Sequence, residues 1–236
     1  MSEHVRGRGI RLNTSHSSWT ALWDHVHRVL VVNAGLALTN LPLLLALQIE
    51  RRPWQHPVLF TVLVAAAGPS LTAAFGYLRL ADDEDRPRMR EFFRAYRRLA
   101  RRGLALWTPL VVLAAVCTAD AVFLRHRSGL APALLPLHAV LVLVAAGTGL
   151  TATAFAADPS DRRARTTLLA AAYGLLLRPA PAAVNLLLAA VCLVVVSQVP
   201  LYGLAVAPGC ALFVIWRNSR PMEAAVHRAR TRDHPT

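Results

Sequence analysis

The chain has 236 residues, of which 55% are hydrophobic, and its formal net charge is +13. All 26 basic residues are arginines, and the absence of lysine excludes P-loop phosphate binding, Schiff-base chemistry and pyridoxal chemistry. The three cysteines lie inside apolar segments and no His-Glu-x-x-His pattern occurs, so we expect no disulfide framework, no metal site and no cofactor.

Six apolar stretches follow one another along the chain, each close to the ~20 residues that a helix needs to cross a bilayer. They lie near residues 29–49, 58–78, 104–124, 130–157, 180–198 and 199–216. Around them we predict a disordered N-terminal segment (1–17), one transmembrane domain (18–217) and a cytoplasmic tail (218–236). The predicted fold class is an all-α membrane bundle of about six transmembrane helices with one or two in-plane amphipathic helices.

The arginines are distributed unevenly between the two sides of this pattern. Four precede the first span, nine lie between the second and third spans, four between the fourth and fifth, and five in the tail. The other two connections hold two each. Because positive charge stays on the cytoplasmic side during insertion, the 22:4 split predicts a multi-pass protein of the bacterial inner membrane with both termini cytoplasmic. Arginines beside spans favour anionic lipid headgroups, and no nucleic acid, as partners.

The first two spans contain polar residues at helical spacing. Asn33 and Asn40 lie in the first span, and Pro42 is expected to bend it. In the second span, Ala66, Ser70 and Ala74 form a small-residue stripe that favours close helix packing.

The stretch from residue 87 to residue 102 is strongly amphipathic. Aromatic residues and Leu99 line one face and arginines cover the other, which is typical of a helix that lies in the membrane plane. The alternative is an amphipathic helix packed on other loops. The predicted membrane-surface or partner-binding residues are Phe92, Phe93, Arg94, Tyr96, Arg97, Arg98 and Arg101.

Ionisable and amide side chains inside the later spans are the remaining candidates, since polar groups in a membrane are often functional. Asp120 is interpreted as an interfacial carboxylate paired with Arg125, and His138 as hydrogen bonded to a neighbouring helix. A substrate or proton site is the alternative for both. Asn33, Asn40, Asn185 and Gln198 are interpreted as interhelical hydrogen-bonding residues, and Ser70 is a further intramembrane polar candidate.

The two halves of the chain contain a similar block. Residues 66–75 (AAGPSLTAAF) resemble residues 145–155 (AAGTGLTATAF), and each block precedes a charged turn and an amphipathic stretch. In the second copy that stretch is 162–178, with Leu168, Leu169, Ala172, Leu175 and Leu176 on its apolar side. Because both blocks precede a cytoplasmic turn, we expect two copies in the same orientation rather than an inverted repeat.

Three segments resemble the YesL-like family of bacterial membrane proteins: residues 30–42 (LVVN…LP), residues 68–74 (GPSLTAA) and residues 91–96 (EFFRAY). Glu91 stands where that family has aspartate and Tyr96 where it has its last phenylalanine. The resemblance implies a polytopic helical protein linked with carbohydrate uptake systems, with permease subunits of a sugar transporter as partners. It implies no catalytic residues.

Taken together, these features predict a non-catalytic accessory or assembly protein and not an enzyme. A small self-contained transporter is the alternative. A more remote one is an intramembrane hydrolase that uses Ser70 and His138, although no oxyanion-hole donors are evident beside them.

Overall fold

A computed structural model describes residues 14–50, 52, 55–83, 87–124, 131–158, 163–198 and 200–233. The regular structure in these ranges is helical and contains no strand. The helices are α1 (Thr14–Thr39), α2 (Leu41–Ile49), α3 (Pro57–Ala65), α4 (Gly68–Asp83), α5 (Met89–Leu124), α6 (Ala131–Ala156), α7 (Ala164–Leu177), α8 (Pro179–Gln198) and α9 (Pro200–Asp233). The predicted all-α class is confirmed.

Four helical segments in the described ranges are long and apolar enough to cross a membrane, or five if one bent pair counts as a span. The four are Pro57–Asp83, Met89–Leu124, Leu134–Ala156 and Pro179–Val196, and the bent pair is Trp23–Thr39 with Leu41–Ile49. The chain is therefore a helical membrane protein. Residues 200–216 of the predicted sixth span form the first half of α9, which continues through the predicted tail to Asp233. The predicted disordered segment loses its last residues to α1, which begins at Thr14, and the rest of it lies outside the described residues.

The first predicted span is broken at Asn40. The axes of α1 and α2 differ by 68° there, and Pro42 opens α2. Proline has no N–H to continue the helical hydrogen bonding, so the predicted bend is confirmed and has this cause. The Nδ2 group of Asn40 donates a hydrogen bond to the Leu36 carbonyl at 2.9 Å, so this side chain binds a backbone carbonyl in the last turn of α1.

The second predicted span contains a smaller interruption at residues 66 and 67, between α3 and α4. Pro69 follows directly and removes one backbone donor. The Val64 carbonyl accepts two hydrogen bonds at this break, from the Ala67 backbone N–H at 3.1 Å and from Trp107 Nε1 at 2.9 Å, so a side chain of α5 binds backbone there.

Most of the stretch 87–102, predicted as an in-plane amphipathic helix, belongs to a longer helix. It forms the first half of α5, which continues through the third apolar stretch to Leu124. Phe92 is fully buried, and a Cβ atom added to Gly35 would lie 2.6 Å from its Cε1 atom. The aromatic face of this stretch therefore packs against α1, as in the alternative of an amphipathic helix packed on other parts of the protein.

Helix α7 occupies the second predicted amphipathic stretch. Its buried side consists of small residues, namely Thr167, Ala170, Ala171 and Gly174. Among the leucines of the predicted apolar side, Leu168 and Leu175 pack against the core, whereas Leu169 and Leu176 are 60% and 80% exposed. The small residues let α7 approach α9 closely.

Helices α4 and α6 carry the two similar blocks and run in the same direction. Arg79, near the end of α4, forms an ion pair with Asp158, which directly follows α6. At the start of α4, a Cβ atom at Gly68 would lie 2.6 Å from the Trp107 Cβ atom, and one at Gly149, in the second half of α6, would lie 2.7 Å from its Cζ3 atom. The two blocks therefore flank one tryptophan in the same orientation.

Candidate functional site at the arginine-rich end of the bundle

Three helices meet around the carboxylate of Asp82 at the end of α4. Arg220 Nη1 lies 3.0 Å and Trp216 Nε1 lies 3.3 Å from Oδ2 of Asp82, and both come from α9. Arg28 of α1 lies 4.0 Å from Oδ1. The side chains of Arg28 and Asp82 are only 16% and 18% exposed. This partly desolvated set, which we call the Asp82 cluster, connects α1, α4 and α9.

A second carboxylate lies beside it, after α6. Asp158 pairs with Arg79 at 2.9 Å, and its backbone carbonyl accepts a hydrogen bond from Arg102 Nη1 at 3.3 Å. Arg102 Nη2 also donates to Thr167 Oγ1 of α7 at 3.5 Å. This Asp158 cluster therefore connects α4, α5, α6 and α7.

A polar cleft of ≈ 260 Å³ lies between the two clusters. Its lining includes Arg79, Asp158, Trp216, Arg220 and Glu223. Arg79 pairs with Asp158 at 2.9 Å and Arg220 pairs with Asp82 at 3.0 Å. The charged groups that line the cleft therefore mainly hold helices together. The sequence analysis did not identify this cleft, because it recognised only a charged turn after each of the two similar blocks. One sequence feature could have indicated the cleft: Asp82 and Asp158 each follow one of the two similar blocks.

Helix α5 carries its predicted arginines on an exposed face. Arg94, Arg97, Arg98 and Arg101 are exposed. Glu91 contacts the Nη1 group of Arg94 at 2.6 Å. Tyr77 anchors the start of α5, because its hydroxyl donates to the Pro87 carbonyl at 2.8 Å.

The aromatic members of the predicted surface site point the other way. Phe92 is buried, and Phe93 meets it edge-on with ring centroids 5.7 Å apart. Phe93 and Tyr96 are partly buried against the same core. The predicted site thus divides into a structural aromatic side and an exposed arginine side.

The predicted intramembrane amides join helices, as expected for membrane interiors. The buried Asn33 side chain accepts a hydrogen bond from the Gly209 backbone N–H at 2.6 Å. Asn185 accepts one from Asn218 Nδ2 at 3.0 Å. Ser70 donates to Asn40 Oδ1 at 3.3 Å, which connects α4 with the break between α1 and α2.

Asp120 and His138 form a pair at the end of the bundle opposite the arginines. His138 Nε2 lies 4.0 Å from Asp120 Oδ2, and the Asp120 side chain is 62% exposed. His138 Nδ1 lies 2.9 Å from the Leu134 carbonyl of its own helix. Arg125, the predicted partner of Asp120, lies outside the described residues. Ser70 and His138 have these different partners, so the geometry gives the Ser–His hydrolase no support.

Among the residues that the structure describes, no group of three or more histidine, cysteine, aspartate or glutamate residues could hold a metal ion. The chain matches no family model, no curated protein and no solved structure.

Proposed function

We propose that this protein is a non-catalytic accessory component of the bacterial inner membrane, which uses the exposed arginines of α5 to bind an acidic surface of a membrane partner. We further propose that both termini are cytoplasmic and that residues 199–216 form a sixth span. The uneven arginine distribution supports this orientation, and so does the position of Arg28, Arg79, Arg102 and Arg220 at one end of the bundle.

The observation that carries the proposal is the exposed arginine face of α5. Four arginines at helical spacing project from a helix whose other side is fixed in the core by Phe92 and Leu99. A rigid helix presents such charges at defined spacing, which favours recognition of carboxylates on a protein over loose contact with lipid headgroups. The resemblance to YesL-like proteins, itself part of this proposal, points to permease subunits of a sugar transporter as the partner.

Site-specific photo-crosslinking in native membranes tests this proposal. A photoreactive phenylalanine analogue at Arg98 is expected to form an adduct with a permease subunit, because Arg98 lies on the docking face. The same analogue at Arg165, an exposed arginine of α7, serves as the control. Adducts with lipid alone at position 98, or equal permease adducts at both positions, would remove α5 from partner binding.

A small transporter remains the second candidate, and one observation favours it. The interruption between α1 and α2 and that between α3 and α4 meet through the Ser70–Asn40 hydrogen bond. Discontinuous helices near mid-membrane are where secondary transporters build substrate sites. If the protein transports a solute by itself, Asn40→Ala in purified proteoliposomes should abolish uptake, and Asp120→Asn should impair it. Absence of uptake by the wild-type protein in the same vesicles would dismiss this candidate.

A further inference from the structure

Two histidines at the end of the bundle opposite the arginines each lie beside a carboxylate. His138 Nε2 is 4.0 Å from Asp120 Oδ2, so this pair joins the first turns of α6 to the last turns of α5. His56 Nε2 is 3.7 Å from Glu50 Oε2, and this pair closes the connection between α2 and α3.

The two pairs lie at the same end of the molecule. Pro57 directly follows His56, and Ala119 directly precedes Asp120. Both Pro57 and Ala119 line one apolar cavity between α3, α5 and α6. A change in either pair therefore acts on neighbouring parts of the bundle.

The partners of the carboxylates differ between the two ends. At the arginine-rich end, Asp82, Asp158 and Glu91 pair with arginines. A guanidinium group stays charged throughout the range in which an imidazole gains or loses its proton. Over that range the histidine pairs respond to pH, whereas the arginine pairs stay charged.

The Leu134 carbonyl determines which ring nitrogen of His138 carries the first proton. His138 Nδ1 lies 2.9 Å from this carbonyl oxygen, which can only accept a hydrogen bond, so Nδ1 is protonated. In the neutral ring, Nε2 then has a lone pair that faces the Asp120 carboxylate without attraction. A second proton on Nε2 provides an N–H donor and a positive charge at the same point. The contact is therefore favourable only after the pair has taken up one proton.

Other charged groups are scarce around this pair. Asp120 is the one charged residue between positions 104 and 124, and α6 contains no aspartate, glutamate or arginine. The connection 125–130, which carries two arginines and a histidine, lies outside the described residues. On α5, and on the helices α8 and α9 that also pack on α6, the other titratable residues toward this end are thiols and a phenol, which are ordinarily neutral at pH 7. They are Cys117, Cys192, Tyr202 and Cys210.

The second pair is more exposed and therefore weaker. The side chains of His56 and Glu50 are 57% and 32% exposed, so solvent screens their attraction. Glu50 is nevertheless held in place, because its Oε1 atom accepts a hydrogen bond from the Arg52 backbone N–H at 2.8 Å. The other charged groups near His56 are Arg51, which lies outside the described residues, the exposed Arg52 and, on the adjacent α5, Asp120.

We propose that the two pairs form a proton-dependent latch, which ties α6 to α5 and α2 to α3 when the solution at this end becomes acidic. Each pair adds stability while its imidazole is charged and its carboxylate is ionised. With ordinary values for these groups, this contribution is present between about pH 4 and about pH 6.5 and is lost at higher pH. The latch is separate from the arginine face and does not depend on the accessory role. In the orientation proposed above, it faces the outside of the cell.

A double-mutant cycle at two pH values tests the latch in the detergent-solubilised full-length protein. Asp120→Asn, His138→Gln and the double variant are compared with the wild type by thermal denaturation at about pH 5.5 and about pH 8, on either side of ordinary imidazole titration. At the acidic pH we expect each single variant to lower Tm by a few degrees and the double variant to lower it no further. At the alkaline pH we expect no such coupling. Additive changes at the acidic pH, or equal coupling at both pH values, would overturn the proposal.

His27→Gln is the matched control for this cycle. His27 is a half-buried histidine of α1 near the arginine-rich end. Its effect on Tm should add to that of Asp120→Asn at both pH values, because the two residues share no contact.

Hydrogen exchange measured by mass spectrometry locates the latch within the protein. After correction for intrinsic exchange rates, the first turns of α3 and α6 should be several-fold more protected at the acidic pH in the wild type. Asp120→Asn should remove this difference from α6 and leave it in α3, and Glu50→Gln should do the reverse. Protection of the wild type that does not change with pH would contradict the latch even if no variant can be purified.

Discussion

At the residue scale, carboxylates at helix ends, rather than residues deep in the spans, hold the helices together at the charged end of this molecule. Asp82 receives Arg28, Arg220 and the Trp216 N–H, and Asp158 receives Arg79. Removal of one partner would leave other charges unpaired. This is unfavourable because these side chains are partly shielded from solvent. The two carboxylates therefore fix how the helices meet.

The first prediction concerns Asp82. Asp82→Asn removes the negative charge opposite Arg28 and Arg220, so we expect a loss of about 1–3 kcal/mol in the free energy of unfolding. Thermal denaturation of the detergent-solubilised protein measures it as a lower Tm. Asp83→Asn is the matched control, because Asp83 is adjacent and does not belong to the Asp82 cluster. Equal Tm values for the two variants would show that the Asp82 cluster does not support the fold.

At the element scale, close contact between α4 and α5 depends on glycine. A Cβ atom at Gly103 would lie 2.9 Å from the Gly68 carbonyl oxygen and 2.9 Å from the Pro69 Cα atom. Both are backbone atoms that cannot rotate away. The two helices can therefore remain at this distance only with glycine at position 103.

Gly103→Ala should consequently destabilise the protein by about 1–3 kcal/mol through overpacking. Gly174→Ala is the control, since its nearest contact would be an ordinary 3.5 Å to a Val226 side-chain atom. That variant should be neutral or slightly stabilising, because alanine favours helix over glycine by up to about 1 kcal/mol. Thermal denaturation compares the two, and a Tm decrease as large for Gly174→Ala would refute the packing argument.

The arrangement of α5 can be tested by spin labels attached at single cysteines. Oxygen collides with labels exposed to lipid, and a nickel chelate collides with labels exposed to water. A label at Arg94 or Arg98 should be accessible to nickel, whereas a label at Ala95 should be protected from both reagents because it faces the bundle. High oxygen accessibility at Ala95 would indicate an in-plane helix instead.

The sequence patterns identified the apolar helices but did not show what the aromatic face of α5 contacts. A helix with aromatics on one face and arginines on the other has the same periodicity whether it lies on a membrane or packs on a bundle. What decides between these arrangements is the contact of Phe92 with Gly35, two residues that are far apart in the chain. The ion pairs of Asp82 and Asp158 were missed for the same reason, since their partners come from other helices.

At the scale of the whole molecule, the bundle separates two chemically different ends. One contains the Asp82 and Asp158 clusters and the arginine face of α5, and the other contains the Asp120–His138 pair. The lengths of the apolar segments predicted a helical membrane protein, because a segment that crosses a membrane must form its backbone hydrogen bonds internally, as a helix does. The break at Asn40 was predictable from Pro42, whereas its hydrogen bond with Ser70 depends on the tertiary fold.

The arginine distribution leads to a prediction about topology. Cysteines introduced near both termini, at Ser2 and Thr236, should be protected from a membrane-impermeant thiol reagent in intact cells and should react after the membrane is permeabilised. A cysteine at Ser128, in the arginine-poor third connection, should react in intact cells. Labelling of either terminus in intact cells would contradict the proposed orientation.

The most direct test of the accessory role is quantitative co-purification from native membranes under mild solubilisation. Wild-type protein is compared with a variant in which Arg94, Arg97, Arg98 and Arg101 are glutamine, and with a control in which Arg163, Arg165, Arg178 and Arg228 are glutamine. Both variants change the net charge from +13 to +9, since each loses four arginines. We predict stoichiometric permease subunits with the wild type and the control, and their loss from the α5 variant. Equal recovery with all three proteins, or no permease with the wild type, would contradict the account.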